Sequence, residues 1–225
     1  KAFYGVLKSA DRYLRFVFLT GVTKFAQISV LSDLNQLQDI STWPDYYSLC
    51  GITKEELLTT FTPEIERLGV SNGMDFDTTL EQMTKLYDGY HFYPHCEGVF
   101  NPFSVLNACK SKILDNFWFQ TGTPTYLVNL LKESDYDLRL LIEGVEVTAS
   151  AFFEYRAEVK NPLPMIYQSG YLTIKDYDRD VLLYTLGFPN DEVRYGFLNF
   201  LVPSYTGVTD DETGFHIAKF MRELR

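Results

Sequence analysis

The sequence predicts an α+β fold that is mostly helical. Three observations lead to this fold class. Helix-start signals follow one another from residue 53 to residue 144, two alternating segments after Gly170 are typical of a β-hairpin, and a short apolar run at 16–20 is typical of a buried strand. We therefore expect a helical body, a small sheet, and one strand that belongs to a separate sheet.

The composition is that of a folded chain that needs no disulfide or metal for stability. Its 225 residues, 46% hydrophobic and 22% charged, are enough for one large domain or two small ones. The formal net charge of −10 would repel a polyphosphate. The three cysteines lack C-x-x-C spacing, which favours a reducing compartment, and no apolar run approaches the ~20 residues that cross a bilayer. We predict a cytoplasmic protein with no membrane partner.

The first expected element is a strand within residues 11–25. Its apolar run stops at Thr20-Gly21, and a continuous run of this kind is typical of strands buried on both faces of a parallel sheet. Such a strand needs neighbours, and nothing downstream to residue 145 resembles one. We expect the partner strands upstream of Lys1 or elsewhere in the chain. Because Lys1 itself falls inside an apparent element, we also expect a piece of a longer protein.

Helices are predicted from residue 53 to Gly144 by their capping residues. The signals are two capping-box spacings, Thr53 with Glu56 and Thr78 with Glu81, and two N-cap residues before proline, Asn101-Pro102 and Thr123-Pro124. Thr62-Pro63 should end any helix that reaches Phe61. A further helix is expected over 135–143, closed by Gly144.

After residue 145 the pattern becomes helix, hairpin and helix. Asn161-Pro162 starts a short helix that Gly170 ends, residues 171–174 and 181–188 alternate as two strands joined by KDYDRD, and Pro189-Asn190 caps the next helix. With helices at 124–132 and 135–143 and an extended stretch at 145–148, the order resembles a winged helix. Residues 216–225 start a last helix.

Two local clusters invite a catalytic or metal interpretation. His91 and His95 are four residues apart beside Cys96, but Pro94 disfavours the helix that would bring both imidazoles to one zinc ion, so we favour an ordinary loop with no metal. In YDGY, Asp88 and Gly89 are expected to form a turn in which Gly89 has a positive φ and Asp88 bonds the backbone. A catalytic aspartate is the alternative.

Two segments bear on nucleotide and nucleic-acid binding. TGVTK at 20–24 lacks the glycines of a phosphate loop, yet it follows a predicted strand, so Thr20 and Lys24 either sense a nucleotide or merely end the strand. The candidate recognition helix at 162–169 has no Lys or Arg, and residues 146–188 carry a net charge of about −2, which argues against direct DNA binding. Packing or binding to a protein partner is the favoured role of that segment.

Seven strings taken together resemble a known family. They are, in order, FYGVLKSADRYLRFVFLTGVTKFAQISVLSDLNQLQDIS, LCGITKEELLTTF, KLYDGYHF, FNPFSVLNA, FWFQTGTPTYLVNLLK, YQSGYLTI and GFPNDEVR. In this order they are similar to bacterial AAA-ATPase-like proteins, abundant in gut Bacteroidetes and Clostridia, which usually carry a C-terminal PD-(D/E)XK nuclease-like domain. The likeness covers nearly the whole chain.

The resemblance implies a division of the chain and a set of missing parts. Residues 1–45 correspond to the end of the ATPase-like core, 46–145 to a helical lid, 146–205 to the winged-helix-like region, and 206–225 to the start of a linker helix. The Walker A and Walker B motifs would precede Lys1 and the nuclease-like domain would follow Arg225. Thr20 and Lys24 match a sensor position. ATP and Mg²⁺ are implied for the longer protein, and no cofactor for this segment.

The resulting expectation is a segment without catalytic activity of its own. It would couple nucleotide state to a DNA-processing or partner-binding domain. The alternatives are a stand-alone protein–protein interaction module, which includes self-association, and a weak DNA-binding winged helix. Asn101, Pro102, Gly170, Pro189 and Asn190, together with the Asp88-Gly89 turn, are expected to serve the structure rather than chemistry.

Overall fold

The computed structural model describes residues 6, 9–21, 38–118, 125–134, 136–137, 139–153, 161–206, 215–216 and 219. Two short 3-10 helices, Asp11–Tyr13 and Pro44–Tyr46, precede the main body. The helices are α1 (Lys54–Thr60), α2 (Thr62–Asn72), α3 (Phe76–Tyr87), α4 (Pro102–Ser111), α5 (Thr125–Ser134), α6 (Arg139–Glu143), α7 (Ala149–Phe153), α8 (Leu163–Gln168) and α9 (Asp191–Thr206), and the strands are β1 (Val145–Thr148), β2 (Thr173–Asp178) and β3 (Leu183–Gly187). The predicted α+β class is confirmed, with about half of the described residues in helices and one small antiparallel sheet.

Helices α1 to α4 enclose the first hydrophobic core. In the capping box of α1, the Thr53 hydroxyl accepts from the Glu56 amide at 3.1 Å and the Glu56 carboxylate accepts from the Thr53 amide at 2.9 Å. The predicted break at Thr62-Pro63 is confirmed, since α1 ends at Thr60, and a new helix, α2, starts directly after Phe61 with proline in its first turn. The buried side chains of this core are Leu57, Ile65, Leu68, Met83, Tyr87, Phe100, Val105, Ala108 and Phe117.

The second core lies on a three-stranded antiparallel sheet of order β1-β3-β2. Strand β3 is central, with Val145 opposite Leu186 on one side and Thr173 opposite Gly187 on the other. The register of β2 shifts between Ile174 and Asp176, which makes Lys175 the extra residue of a bulge. The buried side chains are Leu127, Leu130, Leu131, Leu141, Val147, Leu163, Met165, Ile166, Tyr171, Leu172, Ile174, Leu186, Val193, Phe197 and Leu201.

Most of the predicted helix starts are confirmed, and one is wrong. Asn101 caps α4 by accepting from the Phe103 amide at 3.0 Å. The predicted box of Thr78 and Glu81 does not form, because the Asp75 carboxylate accepts from the Thr78 amide at 2.8 Å and starts α3 one turn earlier. Glu81 instead pairs with Lys85 at 2.7 Å. The signal at Thr123-Pro124 lies outside the described residues.

The hairpin and two helices differ from their predicted bounds. The KDYDRD linker is wrong in part, because Lys175 and the three residues after it belong to β2 and the turn lies at 179–182. Tyr177 and Tyr184 are paired across the two strands near the tip of the hairpin, and their ring centroids lie 4.3 Å apart. The helix expected over 135–143 is the shorter α6, which ends at Gly144 with a φ of 96°. Of the last helix expected, over 216–225, only residues 216 and 219 are described.

The predicted strand at 16–20 is wrong. Residues 14–20 have no regular secondary structure, and the side chains of Phe16 and Phe18 are 80% and 50% exposed. A strand forms only against a hydrogen-bonding neighbour, and the described residues offer none to this stretch. The apolar run alone therefore did not determine the backbone conformation of this stretch. Among the described residues, no helix is long and apolar enough to cross a membrane.

Candidate functional site at the junction of the two cores

The two cores meet at a junction built mainly from hydrogen bonds. We use this name for residues 88–91, Ser104 and Trp118, which follow or lie on helices of the first core, and for Thr173, Lys175 and residues 189–192 on the side of the second. The side chains of Tyr90 and Trp118 themselves pack against the second core. The first group follows α3 or lies on and after α4, and the second includes the start of β2 and the start of α9. The junction thus fixes the ends of several elements at one place.

The backbones of Gly89 and Pro189 approach each other closely at the junction. Gly89 has a φ of 98°, as predicted for the YDGY turn, and the Asp88 carboxylate accepts from its amide at 2.7 Å. A Cβ atom at this position would overlap the carbonyl oxygen of Pro189. Glycine is therefore required here for two independent reasons, its backbone conformation and the approach of the other core.

Asn190 joins the cores while it caps a helix. Its side-chain oxygen accepts from the Val193 amide at 3.0 Å, which starts α9. Its side-chain nitrogen donates to the Asp88 carbonyl oxygen at 2.9 Å. Both polar atoms of one side chain are thus used, one inside its own helix and the other across the junction.

Asp88 and Lys175 bring opposite charges to the junction. Burial raises the pKa of the Asp88 carboxyl, while its bond to the Gly89 amide and the charges of His91, Lys54 and Lys175 act in the opposite direction. The Lys175 side chain is exposed overall, but its amine donates to the Pro189 carbonyl at 3.1 Å in a partly buried position. Burial lowers the pKa of this amine, and the charge of Asp88 opposes the shift.

Thr173 and His91 exchange a reciprocal pair of hydrogen bonds. The Thr173 hydroxyl accepts from the His91 amide at 2.7 Å and donates to the His91 carbonyl at 2.8 Å. The His91 ring makes a separate contact, in which Nδ1 lies 2.9 Å from the Cys96 carbonyl oxygen. Because a carbonyl oxygen only accepts, Nδ1 is the donor in this bond. Among the described residues, no group of three or more His, Cys, Asp or Glu side chains is placed to hold a metal ion.

Glu192 is the most buried charged group of the junction, with no exposed surface. Its two carboxylate oxygens accept from the Ser104 hydroxyl at 2.7 Å and from the Trp118 amide at 2.9 Å. Burial raises the pKa of this carboxyl, and hydrogen bonds from the backbone of Trp118, from Ser104 and from the backbone of Phe117 limit the rise. A side chain in the first turn of α9 thus satisfies donors that the first core presents.

An open cleft of about 310 Å³ lies beside the contact between Gly89 and Pro189. Its charged lining residues are Lys85, Asp88 and Asp191, and Lys85 is already paired with Glu81 at 2.7 Å. Because both signs of charge are present and the one cation has a carboxylate partner, the lining selects no class of ion. The geometry of the junction holds two cores in a fixed orientation; it does not present an activated nucleophile or a phosphate cradle among the described residues.

The structural residues predicted from the sequence gather here. Asp88, Gly89, Pro189 and Asn190 make the direct contacts, and Gly170, with a φ of 81°, faces the Trp118 ring. Asn101 and Pro102 start α4, and so position Ser104 against Glu192.

The candidate nucleotide sensors do not belong to the junction residues. Thr20 is exposed in the irregular stretch and Lys24 lies outside the described residues, so their role stays a prediction. The sequence did not predict a site role for Glu192, Ser104, Thr173 or Lys175. For Glu192 the only signal was its place in a first helical turn, where acidic residues are common on exposed surfaces as well.

The chain is similar to a protein of *Azotobacter chroococcum* mcd 1 described as an uncharacterized protein in the vnfD 5′ region. The two are 35% identical over 193 residues, which are 85% of this chain and 35% of that protein. The chain therefore spans about a third of the length of this relative. No family model matches the chain. No solved structure matches it either.

Proposed function

We propose that this chain is a non-catalytic coupling segment of an AAA-ATPase-like protein. In this role it transmits the nucleotide state of an ATPase core to a DNA-processing or partner-binding domain. The observation that carries the proposal is the junction, because buried hydrogen bonds such as those of Glu192 tie two separate hydrophobic cores together. Two cores held in this way move as one body, which is what transmission of a displacement requires.

The exposed stretch at 14–20 supports a contact with a further domain. Phe16 and Phe18 stack with ring centroids 6.4 Å apart, yet both face solvent in this chain. Large apolar side chains grouped on an exposed segment mark interaction sites. The greater length of the *Azotobacter* relative is consistent with a larger protein around this segment.

We further propose that α5 to α9 with the sheet are a winged-helix-like region. The chain order of two helices, a strand, two helices and a two-stranded hairpin, with β3 in the centre of the sheet, supports this assignment. Its α8 is the helix that would read DNA in such a module. Leu163, Met165 and Ile166 of α8 are buried in the second core, which favours packing over DNA reading.

The proposed role assigns ATP and Mg²⁺ to the longer protein. The acidic surplus of the chain and the mixed charges of the cleft support this division, because phosphoryl transfer needs backbone amides and cations gathered around the phosphates. Thr20 and Lys24 would then sense the nucleotide only when the neighbouring core is present.

The test is to express the reading frame with about 200 further upstream residues, more than one typical domain, and to compare it with the chain alone. We expect ATP turnover only in the longer protein, and hydrogen exchange at 14–20 should slow there and respond to ATP with Mg²⁺. Phe16→Asp should lower turnover, whereas Val70→Asp, at an exposed apolar residue of α2, should not. Turnover by the purified chain alone, or a natural start codon at Lys1, would contradict the proposal.

A stand-alone interaction module is the second candidate, and the same exposed apolar side chains favour it. Under this proposal the stretch at 14–20 pairs with another protein or with a second copy. Sedimentation of the chain over a range of concentrations separates the candidates. A dimer that Phe16→Asp dissociates would support the module, and a monomer at all concentrations would argue against self-association.

A further inference from the structure

The tip of the β2–β3 hairpin exposes an apolar pair. Val181 and Leu182 lie in the turn at 179–182 and are 60% and 63% exposed. They are neighbours in the chain at the end of a two-stranded hairpin, so the tip exposes two apolar side chains to solvent. A hairpin tip needs only polar turn residues to fold, and nothing in the fold requires apolar side chains there.

Leu182 is also unfavourable for the backbone that it occupies. Its φ is 58°, in the left-handed region where glycine and asparagine are the common residues. A leucine at this position therefore opposes folding through its conformation, and its exposure offers no compensating burial. The residue is better explained by a contact outside the chain than by the stability of the hairpin.

The tip is held in a defined shape. The Asp178 carboxylate accepts from the Asp180 amide at 2.8 Å and from the Val181 amide at 3.3 Å. Behind it, the rings of Tyr177 and Tyr184 brace the two strands. A preformed tip loses little conformational entropy when it binds, which favours recognition of a matching surface.

The charges around the tip restrict the kind of partner. Asp176, Asp178 and Asp180 are exposed beside Arg179, while the amine of the preceding Lys175 is directed to the Pro189 carbonyl. The turn therefore has the same sign as the whole chain at −10. This field repels nucleic acid, anionic lipid and a second copy of the chain. It attracts a surface that carries Lys and Arg.

We propose that this hairpin tip docks into a shallow apolar pocket, bordered by Lys and Arg side chains, on another protein. Val181 and Leu182 fill the pocket, and Asp176 and Asp180 face the basic border. This inference goes beyond the proposed coupling role and does not depend on ATP, because it uses neither the junction nor the stretch at 14–20.

The partner is identified by placing the photocrosslinker p-benzoylphenylalanine at Arg179, which leaves the apolar pair intact, and irradiating the full protein in its natural host. We expect a crosslink to a different protein, at a site with apolar side chains flanked by Lys or Arg. Binding is then measured by titration calorimetry between the two purified proteins, because identification alone does not establish the contact.

Leu182→Asn separates binding from folding. Asparagine tolerates the left-handed conformation, so the variant should unfold at the same temperature as the wild type or higher, while its affinity should fall at least ~10-fold with the lost apolar contact. Asp180→Asn should slow association and reduce its dependence on salt. Val70→Ser, at an exposed valine of α2, is the matched control and should change neither.

Several outcomes would overturn the proposal. They are crosslinks to a second copy, to nucleic acid, to lipid or to another part of the same polypeptide, the absence of any crosslink, and unchanged affinity in Leu182→Asn. Dependence of the binding on ATP would show that the contact belongs to the coupling role instead. The failure of either proposal is therefore distinguishable from the failure of the other.

Discussion

The backbone of Gly89 lies against the carbonyl oxygen of Pro189 so closely that a Cβ atom on the glycine would overlap it. Gly89 lies in the YDGY turn that follows α3 of the first core, and Pro189 precedes α9 of the second. The contact therefore requires that the two cores keep one relative position, and it makes this glycine the most sensitive point of the junction to added volume.

Gly89→Ala should lower the free energy of unfolding by about 3 kcal/mol, the sum of backbone strain at positive φ and overpacking. Gly73→Ala is the control, because Gly73 has a φ of 67° and nothing near its Cβ position, so only the strain of about 1 kcal/mol is expected. Urea denaturation of both variants measures the difference. Equal losses would mean that the two cores separate at Gly89 without cost.

Glu192→Ala should destabilise the protein by about 3 kcal/mol, because it leaves the Ser104 hydroxyl and the Trp118 amide buried without their acceptor. Glu192→Gln keeps one acceptor oxygen and should lose less. Ser104→Ala removes only one of the two contacts, so its loss of unfolding free energy should be smaller than that of Glu192→Ala. A loss under 0.5 kcal/mol in Glu192→Ala, the range of ordinary surface substitutions, would contradict the buried contacts.

Glu192 also predicts a pH dependence. Burial raises its pKa in the folded protein above the ordinary value of 4.5, so its contribution favours the fold below that pH and is lost as the pH rises through the folded pKa. Glu192→Gln should therefore gain stability relative to the wild type as the pH is raised from 4 to 7. Chemical denaturation at several pH values tests the sign, and an opposite slope would refute it.

The capping box of α1 predicts the opposite sign. Hydrogen bonds from the Thr53 backbone amide and hydroxyl lower the pKa of Glu56, so this contribution is present above the ordinary value of 4.5 and is lost as the pH falls. Thr53→Ala removes the hydroxyl bond but keeps the larger contribution, from the Thr53 amide, so it should flatten the acid side of the stability profile only in part. Ser71→Ala, whose hydroxyl donates to a backbone carbonyl within α2, should leave that slope unchanged. A parallel downward shift of the whole Thr53→Ala profile would exclude the linkage to Glu56.

Asn190 variants separate its two bonds. Asn190→Ser keeps an acceptor for the Val193 amide but loses the donor to Asp88, and should cost about 1 kcal/mol; Asn190→Ala loses both and should cost about 2. In α3, where the Asp75 cap bonds only its own helix turn, Asp75→Ser should cost little. Thermal unfolding gives the order. Identical values for Asn190→Ser and wild type would mean that the bond to Asp88 adds nothing.

The sequence predicted elements whose signals are local. Thr53, Asn101 and Asn190 each cap a helix by bonding an amide two or three residues away, so their residue types and spacing were sufficient. The capping box predicted at Thr78 does not form because Asp75, a better-placed acceptor, lies three residues before it. Two cap signals in one turn cannot be ranked from spacing alone.

The candidate site was predicted only in its turn residues. Gly89 and Asn190 follow from local rules for glycine and for N-caps, but their contacts with Pro189 and Asp88 join residues far apart in the chain. Glu192 carries no local mark that separates a buried acceptor from an exposed one. The strand at 16–20 failed for a related reason, since pairing depends on a partner that the apolar run does not encode.

The extra residue in β2 has a consequence for how this hairpin can vary. Lys175 stands at the bulge, and the same residue carries the amine that reaches the Pro189 carbonyl. Deletion of Lys175 would shift the register between β2 and β3 and would at the same time remove the amine that bonds Pro189. Insertions and deletions should therefore be confined to the half of the hairpin nearer the turn. The length of the hairpin can then change while its start at the junction keeps its contacts.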